Sequence, residues 1–318
     1  MAALARFFSR LFWLGLAVGA LALTAGTVSP LLAGRVWYCE LATHFQLQYV
    51  ELLAAATALF ALSGRLKSAV FTLVVTASAF CYHLLPLYVG GHEQTSETRT
   101  LRLISSNVAF FNQTQDELVD FLAAEKPDVV LLFEVSPDWL STLKILEPEY
   151  PHFKVEPRER HSGIAIFSRL PLESVQLRTV GANPSPVVTA TVKANDRTLT
   201  VIGAHPDPPV SWKQTRDRND QLAGLAELVV ALPTPLVVAG DLNTSSWNPA
   251  FQRLLRDTGL RDSRQGRGVQ MTWPASVPGM QTAIDHCLVS PRVKVLDRWV
   301  GRDIGSDHLP IVVDLLVK

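Results

Sequence analysis

A set of polar residues stands where strand-like runs of this chain end or break. Asn107 closes "LRLISSN", Glu134 follows the apolar "VVLLF", and His205 closes "RTLTVIGAH". Asp241 and Asn243 lie in "VVAGDLN", Asp285 interrupts "TAIDHCLVS", and Asp307-His308 precede "LPIVVDLLV". An ionised carboxylate at the end of a buried strand costs on the order of several kcal/mol unless paired or metal-bound. One such acid reads as a satisfied structural group. Six runs that each present an acid, an amide or an imidazole point instead to one shared cavity.

The chemistry follows from the donor types. Hard oxygen ligands without thiolates favour Mg²⁺ or Mn²⁺ over zinc. Glu134 is the first choice for a direct metal ligand. Asn107, Asp241, Asn243 and Asp307 are candidates to bind the ion, its waters or phosphate oxygens. His308 titrates near neutrality, and Asp285 would hold its imidazole in one tautomer and stabilise its cation. His205 is a second imidazole, suited to binding phosphate or moving a proton. Asp241 is the candidate base for an attacking water. Together these parts describe metal-assisted phosphoester hydrolysis.

The elements that must position these residues alternate between strand and helix. Strand patterns cover 101–109, 127–135, 162–168, 186–194, 197–205, 235–241, 282–290 and 309–317, and helical spacing covers 114–126 and 213–232. The strands at 186–194 and 197–205 meet at Asn195-Asp196, a hairpin signal. Strands partly in hairpins and partly flanked by helices predict an α/β fold of two packed sheets with helices outside. No internal repeat is evident. From Leu101 to Lys318 there are 23 Lys and Arg against 25 Asp and Glu, a net of −2. That balance lacks the basic footprint a nuclease usually carries. Arg253, Arg256, Arg261, Arg264 and Arg267 form a local basic run, read as a solvated helix and loop. Cys287 alone falls in this region, so no internal disulfide holds it.

Residues 1–89 differ in character. Residues 11–33 and 68–89 are apolar over a length that crosses a bilayer, and 47–64 forms a third such segment, with Glu51 near one end. A cleavable signal would share the charged start at Arg6 and Arg10, but no small-x-small site follows it. Arg6 and Arg10 precede the first span, while Arg65 and Lys67 lie between the second and third. Three spans with both basic segments inside place everything after residue 90 outside the cytoplasm, whereas two spans, with 47–64 packed at the interface, would place it inside. The polar, Gly-led 90–100 reads as a linker to a domain at 101–318.

"LISSNVAFFNQ", "PDVVLLFEV", "SGIAIFSR", "GAHPDPP", "VVAGDLN", "MTWP…TAIDHCLVS" and "GSDHLPIVVDL" occur in an order that resembles the endonuclease/exonuclease/phosphatase superfamily. The resemblance spans about 101–318. It implies a four-layer α/β/β/α sandwich, here preceded by a helical transmembrane region, and divalent-metal phosphoester hydrolysis. By motif, the metal-site residues are Asn107 and Glu134. The Gly-Asp-x-Asn pair is Asp241 and Asn243, the mid-strand acid is Asp285, and the closing Asp-His is Asp307-His308. His205 matches the deoxyribonuclease and sphingomyelinase branches, whereas the apurinic endonucleases typically differ there. The membrane-attached form resembles a bacterial subgroup with N-terminal spans.

The expected substrate is a phosphoester in nucleic acid, nucleotide or lipid headgroup. A DNA-repair nuclease and a non-catalytic phosphate-binding module are the alternatives. Outside the main set, Arg158, Arg160 and His161 are read as a solvated loop, Trp273 as packing and Asn248 as a helix N-cap. His286 is read as pointing away from the site.

Overall fold

Strand β2 (Val129–Phe133) is apolar at every position because it is covered on both faces. Val129, Leu131 and Phe133 join a core lying between two sheets, while Val130 and Leu132 pack outward with Phe121 and Leu122 of a helix. The computed structural model describes residues 1–91, 98–181, 185–194 and 196–318. Most of the expected linker and the Asn195 half of the hairpin turn lie outside the described residues.

The other strands are β1 (Leu101–Asn107), β3 (His152–Glu156), β4 (Ile164–Ser168), β5 (Leu172–Thr179), β6 (Pro186–Ala194) and β7 (Arg197–Ala204). They continue with β8 (Leu236–Asp241), β9 (Arg261–Asp262), β10 (Asp285–Val289), β11 (Val293–Val300) and β12 (Ile311–Val317). One sheet has the order β11-β12-β1-β2-β4-β3 and the other β5-β6-β7-β8-β10-β9. In each, one central pair is parallel, β1 with β2 and β7 with β8, and every other neighbour is antiparallel. The two sheets therefore repeat one topology, although the sequence shows no repeat. The C-terminal hairpin β11-β12 completes the sheet that the N-terminal strand begins.

A helix links each parallel pair, as a parallel crossover requires. Asp116–Glu125 links β1 to β2, and Trp212–Ala231 links β7 to β8. The second is capped by the Ser211 hydroxyl, which accepts from the Gln214 amide. It packs with Pro249–Thr258 on the outer face of its sheet, through Leu222, Leu225, Phe251 and Leu254. Helix, sheet, sheet and helix make the four layers. Strands β3, β5 and β11 escaped the sequence reading because their residues are largely half-buried or exposed and carry no apolar run.

Three N-terminal segments are long and apolar enough to cross a membrane: Leu4–Thr27, Trp37–Leu62 and Leu66–Tyr88. The first ends before the expected residue 33 because Pro30 follows in a 3₁₀ turn. The second starts ten residues before the expected 47. Its opening part, Trp37–Ala42 and a 3₁₀ turn, packs into the protein, and Glu40, Thr43, His44 and Gln46 are buried. Beyond Gln46 the helix exposes Leu52 and Leu59, and its neighbours expose Phe8, Leu14, Val70 and Val74.

Gly240, one residue before Asp241, has φ +153°, and an added Cβ would lie 1.9 Å from the Ala204 carbonyl oxygen. Replacing it with alanine must push β8 from β7. Gly240→Ala is expected to lower stability by about 3 kcal/mol. In a melt of the detergent-solubilised chain this reads as a Tm drop of roughly 6–12 °C.

Candidate active site

Asn107 ends β1 opposite Phe133 of parallel β2, so the next residue, Glu134, emerges beside it. Glu134 adopts φ +61°, a backbone region that a non-glycine side chain seldom enters and that recurs at functional sites. The Asn107 amide Nδ2 donates to Glu134 Oε1 at 3.0 Å and to Asp241 Oδ2 at 3.2 Å. Asn107 Oδ1 accepts from the Ala109 amide, which fixes the rotamer. Two carboxylates from opposite sheets thus share one amide.

The second sheet mirrors this arrangement. His205 follows β7 and Asp241 ends parallel β8. His205 Nδ1 donates to the Asp241 carbonyl oxygen at 3.0 Å, and its Nε2 lies 3.4 Å from Glu134 Oε1. Asp241 Oδ1 accepts from the Asn243 amide at 2.9 Å, across a turn in which Asn243 takes φ +48°. Asn243 Nδ2 donates to the Pro206 carbonyl, tying this turn to the one after His205.

Asp285 faces Asp241 across the antiparallel pair of β8 and β10. It is the first residue of its strand, not a mid-strand acid. Its Oδ2 lies 2.9 Å from His308 Nδ1, and His308 Nε2 lies 3.6 Å from Asp241 Oδ2. The polar atoms of Asp241, Asp285 and His308 fall within 4.8 Å of one another. The small residues before His308 have a use. Ser306 Oγ donates to the Asn107 carbonyl and accepts from the His308 amide, and Gly305 at φ +79° passes too close to Thr114 for any side chain.

Charge is arranged in alternation. Burial alone would raise Glu134, but His161, His205 and Asn107 hold its carboxyl well below the usual range. Burial also raises Asp241, and the neighbouring imidazoles only partly offset it. Burial opposes the charge of Asp285 as well, yet His308 wins and the carboxyl is lowered. Burial works against a charged His308, but Asp285 and Asp241 push it up to about 10. His205, buried likewise, is raised to about 9 by Asp241 and Glu134. At neutral pH without metal both imidazoles are cations, and Asp241 is the carboxylate most ready to accept a proton.

Residues 104–308 match the Endonuclease/Exonuclease/phosphatase family. The chain belongs to that family. The family's members are phosphoester hydrolases, nucleases and phosphatases among them. Its fold recurs in humanized D. rerio TDP2, at 19% identity and TM-score 0.57, covering 68% of this chain and 99% of that one. The 3′ phosphatase NExo from Neisseria, bound to a product DNA hairpin, aligns at 21% identity and TM-score 0.57, over 68% of this chain and 99% of that one. The human Nocturnin catalytic domain, with bound sulfate, aligns at 16% identity and TM-score 0.57, over 70% and 96%. None of the curated proteins matches the sequence.

Of the residues read from sequence, Asn107, Glu134, His205, Asp241, Asn243, Asp285 and His308 are joined by the contacts above. Asp307 stands apart. Its carboxylate accepts from Trp273 Nε1 at 3.0 Å, and among the described residues no hydrogen bond ties it to Glu134, Asn107 or Asp241. Trp273 is thus a donor as well as packing. His161, set aside as solvated loop, places Nδ1 3.2 Å from Glu134 Oε1, which raises its pKa despite partial burial. Only its place after "RER" signalled it, and that signal is weak.

His286 points away, as its alternation with Asp285 requires. Its Nε2 lies 2.7 Å from the Thr244 carbonyl, and burial and Arg264 lower it to about 3. The basic run is not a solvated face throughout. Arg264 is fully buried against Asp262, and Arg267 donates to the Val295 and Leu296 carbonyls. Asn248 does cap the next helix, accepting from the Ala250 amide.

The raised imidazoles make stability depend on pH. His308 moves from 6.5 unfolded to about 10 folded, so its contribution is complete below pH 6.5 and is lost as pH climbs toward 10. In EDTA, the Tm of the full chain is expected to fall across pH 7–10, and Asp285→Asn should flatten that decline. Parallel curves for the two proteins would contradict the assigned pairing.

Proposed function

We propose that this chain is a membrane-anchored, divalent-metal-dependent phosphoester hydrolase whose catalytic domain lies outside the cytoplasm. The observation that carries the reading is the junction at Asp241. Asn107 bridges it to Glu134 on one side, and the Asp285–His308 pair closes on it from the other.

The donor set fits Mg²⁺ or Mn²⁺, being carboxylate and amide groups with no thiolate. Glu134 and Asp241 share the single Asn107 amide, so the cluster holds more acid oxygens than that donor serves, a setting that suits a cation. We assign Glu134 to hold the ion, with Asn107 beside it. Asp307, held by Trp273 at the rim, adds negative charge near His308. A divalent ion bound there supplies charge neutralisation and Lewis-acid activation of the phosphoester.

The chain's own groups account for the proton transfers. Asp241 accepts a proton from the attacking water as its oxygen bonds to phosphorus. The His308 imidazolium lies beside the developing phosphorane charge, and Asp285 keeps it protonated at Nδ1. The P–O bond to the leaving group breaks, and His205 or His308 supplies the proton that group needs. Asn243 fixes the Asp241 carboxylate through its backbone amide.

The membrane arrangement has its own support. Arg6 and Arg10 lie at one end of the helical region together with Arg65 and Lys67, and the Arg65 guanidinium sits 3.9 Å over the Trp13 ring. The catalytic domain docks at the other end, where Trp247 Nε1 donates to the His83 carbonyl and the Gly268 amide to that of Leu87. Under the positive-inside tendency, the basic end faces the cytoplasm. An alkaline phosphatase fused after Lys318 is expected to be active in cells, and a fluorescent protein at that point dark. The reverse pattern would invert the topology.

D. rerio TDP2 complexed with single-strand DNA product and NExo with its DNA hairpin favour a nucleic-acid phosphoester as substrate. A phospholipid headgroup is the second reading. It is favoured by the tether to the bilayer and by the domain's net charge of −2.

The test is a panel of bis-p-nitrophenyl phosphate, plasmid DNA, single-stranded DNA and phospholipid vesicles, with Mg²⁺, Mn²⁺ or EDTA. Turnover should vanish in EDTA and in Glu134→Ala, and His308→Ala should lose at least about a hundredfold. Full activity of His308→Ala in Mg²⁺ would remove the role given to that imidazole.

A further inference from the structure

The segment around Glu40 reaches into the scaffold of the site. Glu40 belongs to the N-terminal helical region and is only 1% exposed. Its Oε2 lies 2.7 Å from Arg218 Nη2, and it also accepts from Asn248 Nδ2. Arg218, wholly buried, donates through Nη1 to the Asn243 carbonyl at 2.8 Å and through Nε to Asn219. That carbonyl belongs to the turn whose amide holds Asp241 Oδ1.

Further bonds run in parallel. Ser245 Oγ donates to the Thr43 carbonyl, Thr282 Oγ1 to that of His44, and Gln48 Nε2 to that of Gln281. The segments that carry Asp241 and Asp285 are therefore both bonded to residues 40–48.

A charge pair taken fully out of water is weak evidence for stability, because desolvation offsets much of the attraction. What the Arg218 fork adds is direction. Nη2 is bonded to Glu40, and Nη1 is aimed at a single backbone oxygen two residues past Asp241. An Asn243 backbone in the left-handed region is held there by its surroundings, and this bond grips its carbonyl.

We infer that Glu40 is a positioning residue for hydrolysis: through Arg218 and Asn248 it locks the Asp241–Asn243 turn, making the membrane-proximal segment a working part of the site. The inference rests on the proposed hydrolase for its activity readout, and its structural readout is independent of that reading.

The test uses the full chain in nanodiscs. Glu40→Gln leaves Arg218 buried without its charge partner, which by itself destabilises the fold, so the deciding variant is Glu40→Gln/Arg218→Met, which removes both charges. It is expected to melt within a few degrees of wild type, to lose at least about tenfold in kcat with KM within twofold, and to speed amide exchange over 241–248. Arg218→Lys keeps a cation for Glu40 but not the fork, and should likewise lose kcat rather than raise KM. Unchanged kcat in the double variant, or wild-type exchange over 241–248, overturns the inference. If the wild-type chain cleaves none of the panel substrates, the hydrolase reading fails and amide exchange alone decides this one.

Discussion

Three carboxylates, Glu134, Asp241 and Asp285, are packed into one end of a double sheet with little access to water, and the site's architecture answers to their mutual repulsion. No single neighbour neutralises them. Asn107 supplies a shared amide, His205 sits between Glu134 and Asp241, and His308 sits between Asp241 and Asp285. Each imidazole is drawn into its charged form by acids on two sides, and each acid is lowered or raised according to whether its partners outweigh its burial and the repulsion of neighbouring acids. Asp241 lies at the centre and remains the one carboxyl raised by burial. The group best placed to take a proton is thus the one the network compensates least.

That convergence needs a fold in which distant strands end at one place. The repeated topology provides it. In each sheet the central strands are parallel, so their carboxyl ends point the same way, the position at which open α/β sheets gather their sites. Asn107 and Glu134 come from one parallel pair, and His205 and Asp241 from the other. The antiparallel neighbours contribute from their starts, Asp285 at the head of β10 and His308 just before β12. Facing the sheets through an apolar core brings the two sets within hydrogen-bond reach.

Much of this was legible in the residues. Apolar runs that stop at an acid or an amide marked the ends of buried strands, and period alone separated Asp285 from His286. The residues 114–126 and 213–232 were read as helices within about two positions of their ends. What failed shares one physical cause: side chains whose partners are distant in sequence carry no local signal. His161 looks solvated until Glu134 is placed beside it, and Arg264 looks like surface charge until Asp262 and the loop around Val269 enclose it. Edge strands β3, β5 and β11 have half-exposed faces, so their pattern merges with loop. Glu40 lies between two expected spans, and its partners Arg218 and Asn248 are far away in sequence.

The second of the three long apolar segments, Trp37–Leu62, opens on polar residues. A helix carrying Glu40, Thr43, His44 and Gln46 would be a poor start for a bilayer crossing, and in this protein those groups are buried against other segments of the chain. Glu40 meets Arg218, Thr43 and His44 lend their carbonyls to Ser245 and Thr282, and Gln46 donates to the Gly26 carbonyl. Past that point the helix exposes Leu52, Leu59 and Leu62, and its partners along Leu4–Thr27 and Leu66–Tyr88 likewise expose apolar side chains. The polar groups of residues 40–48 and the loops of the site therefore satisfy each other. Separating them would expose a buried cation on one side and a buried carboxylate on the other, which ties the geometry around Asp241 to the seating of the domain on its helices.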